Sequence, residues 1–153
     1  MRPLSWLAVA GSMLTLPLLT ACSTPAWLCT LPPGPSKVTL FAEPDANQDS
    51  AIAVDLVFVS DKLAAQQLSG LSAAKYFALR SQLLRDYPGS LQVRSWEIAP
   101  GQIVRNASTN PSCNRVQTLL FARYQTPGDH RQALNGRNTI TVILGSHDFT
   151  LSP

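Results

Sequence analysis

The amino-acid sequence predicts a mainly β protein, a two-sheet β-sandwich into which a short pair of helices is inserted. Short apolar segments that alternate like strands recur along the chain, and turn residues separate them at a spacing of about ten residues. The hydrophobic period lengthens to about 3.6 residues in one region only, at about 61–87. These two observations indicate a sandwich, because an amphipathic helix pair between strands needs a sheet to lie on.

The first two predicted strands flank a polar segment. Lys37 to Ala42 alternates along its length, and Ala51 to Val59 is apolar on nearly both faces. A strand without a solvated face belongs at the centre of a sheet. The segment between them, Glu43 to Ser50, is rich in Asp and Asn and predicts a turn.

Two helices follow, and each has a residue that can cap it. Ser60 or Asp61 can cap a short first helix, which Gly70 can end. Ser72 can cap a second helix over Ala73–Asp86.

The second helix is predicted to bury one apolar face. Its stripe consists of Tyr76, Leu79, Leu83 and Tyr87. Phe77 lies beside the stripe, and Arg80 lies outside it. The aromatic residues Tyr76, Phe77 and Trp96 are therefore predicted as core residues rather than as a platform for a ligand.

The second half of the chain returns to strand patterns. The predicted strands are Leu91–Ile98, Gln102–Arg105, Val116–Tyr124, Thr139–Leu144 and Asp148–Leu151. Two polar stretches, Asn106–Asn114 and Thr126–Arg137, are predicted as loops. The sandwich domain is expected to occupy 37–153.

The composition limits the class of partner. The formal net charge is +3, and the basic residues are scattered from Lys37 to Arg137 without a run. A nucleic-acid surface needs clustered positive charge, so no nucleic-acid partner is expected. Without a signal segment at 1–21, the chain has roughly 130 residues, which suits one domain.

The N-terminus has the pattern of a secretory signal. Arg2 precedes an apolar stretch from Leu4 to Leu19, and small residues lead to Cys22. The ending Leu-Thr-Ala-Cys resembles a bacterial lipobox, which implies a covalent lipid on Cys22. Ser23 follows where inner-membrane retention would prefer Asp, so this sorting rule implies the outer membrane, with the body facing the periplasm. The alternative is an ordinary signal peptide with a chance cysteine.

The region after the lipobox is expected to be a tether. Residues 22–36 are proline-rich and predict a semi-stiff extended segment. Cys29 and Cys113 are the remaining cysteines, and an oxidising periplasm favours a disulfide between them. Two buried free thiols remain the alternative.

The histidines do not form a recognisable catalytic pattern. His130 and His147 each stand beside an aspartate, Asp129 and Asp148 respectively, but no Gly-x-Ser-x-Gly motif accompanies them. Neighbouring strand residues point in opposite directions, so Asp148 is not expected to orient His147. Both histidines are predicted to lie in solvated loops, and the protein is predicted not to be an enzyme.

The polar segment resembles part of a calcium loop without completing it. Asp45, Asn47 and Asp49 match the first ligand positions, but Ser50 replaces the glycine and Leu56 the bidentate glutamate. An Asx-rich turn explains these residues without a metal. No metal and no cofactor other than the covalent lipid is expected.

The order of these features resembles the TssJ family, outer-membrane lipoproteins of the type VI secretion system. The lipobox precedes the strand Val38–Ala42, the polar segment Glu43–Ser50 and the strand Ala51–Val59. A helical stretch, Lys75–Leu79, and a strand ending at Trp96–Gly101 follow. The family has a similar Asn/Pro/Asp loop, an aromatic pair in the helix and a Pro-Gly after the next strand.

The resemblance implies a transthyretin-like β-sandwich with a non-enzymatic role. A TssJ lipoprotein anchors the secretion membrane complex by binding the periplasmic domain of the inner-membrane protein TssM. The family's contact loop corresponds here to Glu43, Pro44, Asp45, Ala46, Asn47, Gln48, Asp49 and Ser50. The chain departs from the family where Gln48-Asp49-Ser50-Ala51 replaces the usual Arg-Pro-Ser-Pro.

One other class of function stays open at this point. The chain can also be a periplasm-facing envelope lipoprotein that acts as an assembly factor or as a ligand-binding module. A small-molecule substrate is not expected, because no convergent polar site is visible in the sequence.

Overall fold

The computed structural model describes residues 34–110 and 114–152, and in them the chain forms eight strands and two helices. The strands are β1 (Lys37–Ala42), β2 (Ile52–Val59), β3 (Leu91–Ile98), β4 (Ile103–Ser108), β5 (Gln117–Arg123), β6 (Arg131–Ala133), β7 (Thr139–Leu144) and β8 (Phe149–Ser152). The helices are α1 (Lys62–Ser69) and α2 (Ala73–Asp86). Cys22, Cys29 and Cys113 lie outside the described residues, as do the predicted signal peptide and most of the predicted tether.

The strands form two four-stranded sheets that enclose a core. One sheet has the order β4-β1-β7-β8 and the other the order β3-β2-β5-β6. β1 and β7 are parallel, whereas the other neighbouring pairs are antiparallel. The mainly β, two-sheet sandwich with an inserted helical pair is therefore confirmed. β2 also has the central position that its apolar faces predicted.

The alternating side chains of β2 serve two separate apolar clusters. Val54, Leu56 and Phe58 pack between the sheets against residues of β1 and β7. Val57 and Val59 point the other way and pack under the helices. A strand that is buried on both faces explains why the sequence of β2 lacks a polar side.

Helix α2 covers the second cluster with its aromatic residues. Tyr76 is buried and stacks on Phe121 of β5, with 4.1 Å between the ring centroids. Phe77 packs on the same cluster, and Trp96 packs on the cluster between the sheets, which confirms the predicted core role of these aromatic residues. The stripe predicted for α2 was too wide, because Leu79 is 38% exposed.

A buried carboxylate joins α2 to the central strand. Asp55 of β2 is 2% exposed, and its Oδ2 accepts a hydrogen bond from the Tyr76 hydroxyl at 2.8 Å. The same oxygen accepts from Arg80 Nε at 2.6 Å, and Arg80 Nη2 donates to Ser95 Oγ at 3.0 Å. Arg80 was predicted to lie outside the packed face, and this prediction was wrong. A buried charge needs a partner, and Arg80 supplies it.

The helix ends follow the sequence prediction. Asp61 caps α1, with its Oδ1 accepting from the Ala64 N–H at 2.8 Å, and Gly70 is the C-cap. Ser72 caps α2, where its hydroxyl accepts from the Lys75 N–H at 3.4 Å. In the described residues, neither helix has the length and apolar character that a bilayer crossing requires.

Strand β4 is longer than predicted because it contains a bulge. The sequence placed a loop from Asn106 onward, but β4 continues to Ser108 beside β1. The pairing shifts between Val38 and Leu40, and Asn106 takes a φ of 49°. The Asn106 N–H donates to the Thr39 hydroxyl at 3.2 Å instead of a strand carbonyl. An asparagine at a bulge looks like the start of a loop in sequence.

Strand β6 was missed within the predicted loop Thr126–Arg137. Arg131, Gln132 and Ala133 pair with Phe121, Leu120 and Leu119 at the edge of the sheet. An edge strand this short and polar shows no alternation of apolar residues, so its pairing is visible only in the fold.

Candidate functional site

The predicted contact loop crosses the end of the sandwich from one sheet to the other. Glu43–Ser50 joins β1 to β2, which belong to different sheets. The Glu43 N–H donates to Leu144 O at 2.9 Å, and Glu43 O accepts from the N–H groups of Ala46 at 3.0 Å and Gly101 at 3.1 Å. The start of the loop is therefore bonded to the end of β7 and to the turn that precedes β4.

The centre of the loop has an unusual backbone conformation. Asn47, Gln48 and Asp49 have φ values of 48°, 55° and 61°, so three consecutive non-glycine residues lie in the left-handed region. This region is unfavourable for L residues by roughly 1–2 kcal/mol each, and Asn and Asp tolerate it best. Neighbouring contacts must hold such a turn in place.

The Asn47 side chain supplies those contacts. Asn47 is 2% exposed, and its Oδ1 accepts a hydrogen bond from the Gln125 N–H at 2.7 Å. Its Nδ2 donates to Ala51 O at 3.1 Å, and its backbone N–H donates to Gly145 O at 3.1 Å. One side chain thus fastens the loop to the start of β2 and to the end of β5.

The loop presents acidic groups to solvent. Pro44, Asp45, Gln48 and Asp49 are exposed, while Glu43 and Ser50 are half-buried. Its three carboxylates, on Glu43, Asp45 and Asp49, form no ion pair with other described residues, and the loop has no basic residue. This rigid acidic surface suits docking to a basic partner surface.

The structure narrows the predicted contact loop. Ala46 and Asn47 are buried, so these two predicted contact residues form the frame of the loop and not its outer surface. The four exposed residues remain as the candidate contacts. The Asp and Asn residues of the loop, which favour left-handed turns, are the sequence signal for this division. The burial of Asn47 could not be predicted, because its bond to Gln125 joins distant parts of the chain.

The partial calcium motif is not assembled as a ligand set. The side-chain oxygen of Asn47 points inward to Gln125, whereas Asp45 and Asp49 are exposed. In residues 34–110 and 114–152, no group of three or more His, Cys, Asp or Glu residues is placed to hold a metal ion.

A histidine behind the loop was predicted wrongly. His130 is buried rather than solvated, and its Nδ1 lies 2.9 Å from Asp148 Oδ1. Its Nε2 lies 2.9 Å from Thr126 O, so both ring nitrogens face acceptors. Asp148 is bonded to His130, which agrees with the prediction that it does not orient its neighbour His147. The His130 ring thus joins the β5–β6 connection to the β7–β8 turn, and it has no nucleophile on either nitrogen.

Tyr124 fills the space between this histidine and the loop. Its ring lies 4.8 Å from the His130 ring, centroid to centroid. Burial raises the pKa of Tyr124, and the nearby carboxylates of Asp148 and Glu43 raise it further. Tyr124 is therefore a packed support at the base of the loop, and its hydroxyl keeps its proton more strongly than that of a free tyrosine.

Comparisons with known proteins identify the fold. No family model matches the sequence. No curated protein matches it either. Solved structures share the fold, although their sequences are distant.

The matching structures belong to components of the type VI secretion system. Serratia marcescens Lip, a membrane-bound component of that system, gives a TM-score of 0.61 at 12% identity, covering 79% of this chain and 97% of that chain. The lipoprotein TssJ1 from Pseudomonas aeruginosa gives a TM-score of 0.55 at 20% identity, and the match covers 77% of this chain and 95% of TssJ1. A chain in the structure of the TssM C-terminal domain from EAEC gives a TM-score of 0.60 at 12% identity. This match covers 76% of the present chain and 96% of the matched chain.

These likenesses place the chain in a structural class. It has the sandwich fold of type VI secretion lipoproteins, and almost the whole of each matched chain takes part in the superposition. The resemblance to TssJ that the order of sequence features predicted is thus confirmed at the level of the fold.

Proposed function

We propose that this protein is a TssJ-type lipoprotein that anchors a type VI secretion membrane complex to the outer membrane. Its role is not enzymatic. A lipid on Cys22 holds it to the membrane, its body faces the periplasm, and its partner is the periplasmic domain of a TssM-like inner-membrane protein. The exposed residues of the Glu43–Ser50 loop make the contact.

The observation that carries this proposal is the left-handed turn at Asn47, Gln48 and Asp49. Unfavourable backbone conformations persist where the surroundings over-determine them, and they are frequent at functional sites. A loop that is already rigid loses little conformational freedom when a partner binds. The Asn47 bonds to Gln125 and Ala51 provide this rigidity.

The charge of the loop indicates the partner's chemistry. Asp45 and Asp49 are exposed acidic residues on a chain whose formal net charge is +3. A local acidic surface on a basic protein favours encounter with a basic patch in one orientation. The partner surface is therefore expected to carry Lys or Arg side chains.

The comparisons support the partner class. Lip and TssJ1 share this fold and are type VI secretion components, and a matched chain comes from a structure of the TssM C-terminal domain. The loop alone is polar and small, so one copy is expected to bind modestly. Several copies in one assembly raise the avidity.

The test changes the exposed charges and leaves the frame intact. Asp45→Lys combined with Asp49→Asn removes the acidic surface, and Asn is tolerated at the left-handed φ of Asp49. We expect capture of the purified periplasmic domain of the TssM-like protein to be lost at micromolar concentration, with unfolding unchanged.

The matched control is Asp86→Lys. Asp86 is exposed at the end of α2, just before β3 begins, whereas the loop lies beside the end of β3. This substitution changes charge at the opposite end of the sandwich and should leave capture intact. Wild-type capture by the loop variant would refute the loop as the contact, and failure of the wild type to bind would refute the proposed partner.

A further inference from the structure

The helices leave one end of the β3-β2-β5-β6 sheet uncovered. Helix α2 extends over the outer face as far as Asp55, which it contacts through Tyr76 and Arg80. The next outward-facing residue of β2 is Ala53, which pairs with Glu97 on β3 and with Arg123 on β5. Both charged residues are exposed, and the small Ala53 leaves a low floor between them.

Two surface cavities meet over this floor. One has a volume of about 350 Å³ and is lined by Asn47, Ala51, Ala53, Glu97, Arg123, Tyr124 and Gln125. The other has a volume of about 380 Å³ and is lined by Ala53, Asp55, Phe77, Arg80, Ser95, Trp96 and Glu97. They share Ala53 and Glu97, and together they extend from the contact loop to α2; the pair is called here the outer trough.

The two charges beside the floor have no partners within the described part of the chain. Neither Glu97 nor Arg123 forms an ion pair there, whereas Arg80 is already paired with Asp55. Glu97 and Arg123 stand on strands that flank β2, so their backbones are roughly 9–10 Å apart. Because neither side chain is used in an ion pair among the described residues, the carboxylate and the guanidinium are available to opposite charges from another molecule.

We propose that the outer trough holds an extended segment of the same protein that the Glu43–Ser50 loop binds. The segment places an acidic side chain on Arg123 and a basic side chain on Glu97. This inference rests on the proposed function, because the trough begins at Asn47, the residue that frames the loop.

The size of the surface supports a protein segment as the occupant. A specific interface uses about 20–30 residues on each side, and the four exposed loop residues fall far short of that. The trough extends this surface from Asn47 to the residues beside α2. It is open to solvent, whereas a small-molecule site encloses most of its ligand.

The test reverses the two charges without changing their sum. Glu97→Arg combined with Arg123→Glu has the net charge of the wild type but the opposite polarity across the trough. We expect it to weaken binding of the purified TssM-like periplasmic domain at least about tenfold, because like charges then face each other. Arg105→Glu, at an exposed site on β4 in the other sheet, is the control and should stay within about twofold of the wild type.

The loop variant is measured in the same experiment to separate the two proposals. If the double variant binds with wild-type affinity while the loop variant binds more weakly, the trough proposal is wrong and the proposed function stands. If the wild type itself does not bind, both are overturned. Sedimentation of the protein without its partner tests for self-association. If the protein self-associates and this depends on Arg123, the trough binds a second copy of this chain and the proposed occupant is wrong.

Discussion

The hydroxyl of Tyr76 lies 2.8 Å from the carboxylate of Asp55, so the long helix is bonded to the centre of the sheet that it covers. Asp55 is the single acidic residue in a strand that is otherwise apolar. Burial raises the pKa of Tyr76 above its ordinary value of 10.0, and the Asp55 charge raises it further. The hydroxyl therefore donates its proton to Asp55 over a wide pH range.

This relationship predicts a loss of stability in alkali. Below pH 10 the tyrosine is protonated in both folded and unfolded chains, so its full contribution is present. Above pH 10 the unfolded chain releases the proton first, and the free energy of unfolding decreases as the pH rises. In Tyr76→Phe this decrease should be smaller, which urea unfolding between pH 8 and about 11 can measure.

The control for this experiment is Tyr87→Phe. Tyr87 donates to the side chain of Gln67 on the protein surface, so the substitution removes a hydroxyl outside the buried pair. We expect the alkaline decrease to persist in this variant. An equal decrease in wild type and Tyr76→Phe would contradict the proposed linkage.

The frame of the contact loop should be sensitive to Asn47. Asn47→Ala removes the acceptor for the Gln125 N–H and the donor to Ala51 O, and we expect it to lower the free energy of unfolding by about 1–3 kcal/mol. Denaturant unfolding measures this change.

A substitution at the neighbouring Gln48 should not lower the free energy of unfolding. Gln48→Gly relieves the left-handed backbone at an exposed position and should be neutral or stabilising by up to about 1 kcal/mol. Equal destabilisation by Asn47→Ala and Gln48→Gly would show that the Asn47 side chain does not hold the turn.

Local patterns in the sequence were sufficient to predict most of the strands and both helices. The predicted bounds of the helix Ala73–Asp86 match the structure, because Ser72 caps it and its apolar residues are spaced for one face. The central position of β2 followed from its two apolar faces. These features depend on neighbouring residues alone.

The missed features depend on distant residues. His130 looked solvated in sequence because its bond to Asp148 joins two separate turns. Arg80 looked like a surface residue because Asp55, its partner, belongs to an earlier strand. The outer trough could not be predicted either, since Glu97 and Arg123 come to lie on either side of Ala53 only through the pairing of three strands.

The proposed membrane anchor is tested at Cys22, which lies outside the described residues. Cys22→Ser removes the sulfur that the lipobox motif implies as the acyl acceptor. We expect the variant to lose incorporation of a fatty-acid analogue and to leave the outer-membrane fraction, because two or more acyl chains are needed for stable anchoring. The Cys29→Ser variant should remain labelled. An unlabelled wild type would refute lipidation.

The predicted bond between Cys29 and Cys113 has support from the residues around it. The Thr109 N–H donates to Ser36 O at 3.1 Å, and the Thr109 hydroxyl donates to Pro35 O. The end of the predicted tether and the chain just before Cys113 are thus adjacent. Because Cys29 and Cys113 lie outside the described residues, the bond itself stays a prediction.

Alkylation of the mature chain tests the bond. Without reductant and in mild denaturant, we expect no thiol to react at Cys29 or Cys113, and two to react after reduction. In the chain-entropy model, closing so long a loop stabilises the fold by about 4–5 kcal/mol, so reduction should also lower the unfolding midpoint. Cys29→Ser should lower the midpoint similarly, and reductant should then have no further effect. Quantitative alkylation of both cysteines before reduction would refute the bond, since a thiol that reacts cannot be part of a disulfide.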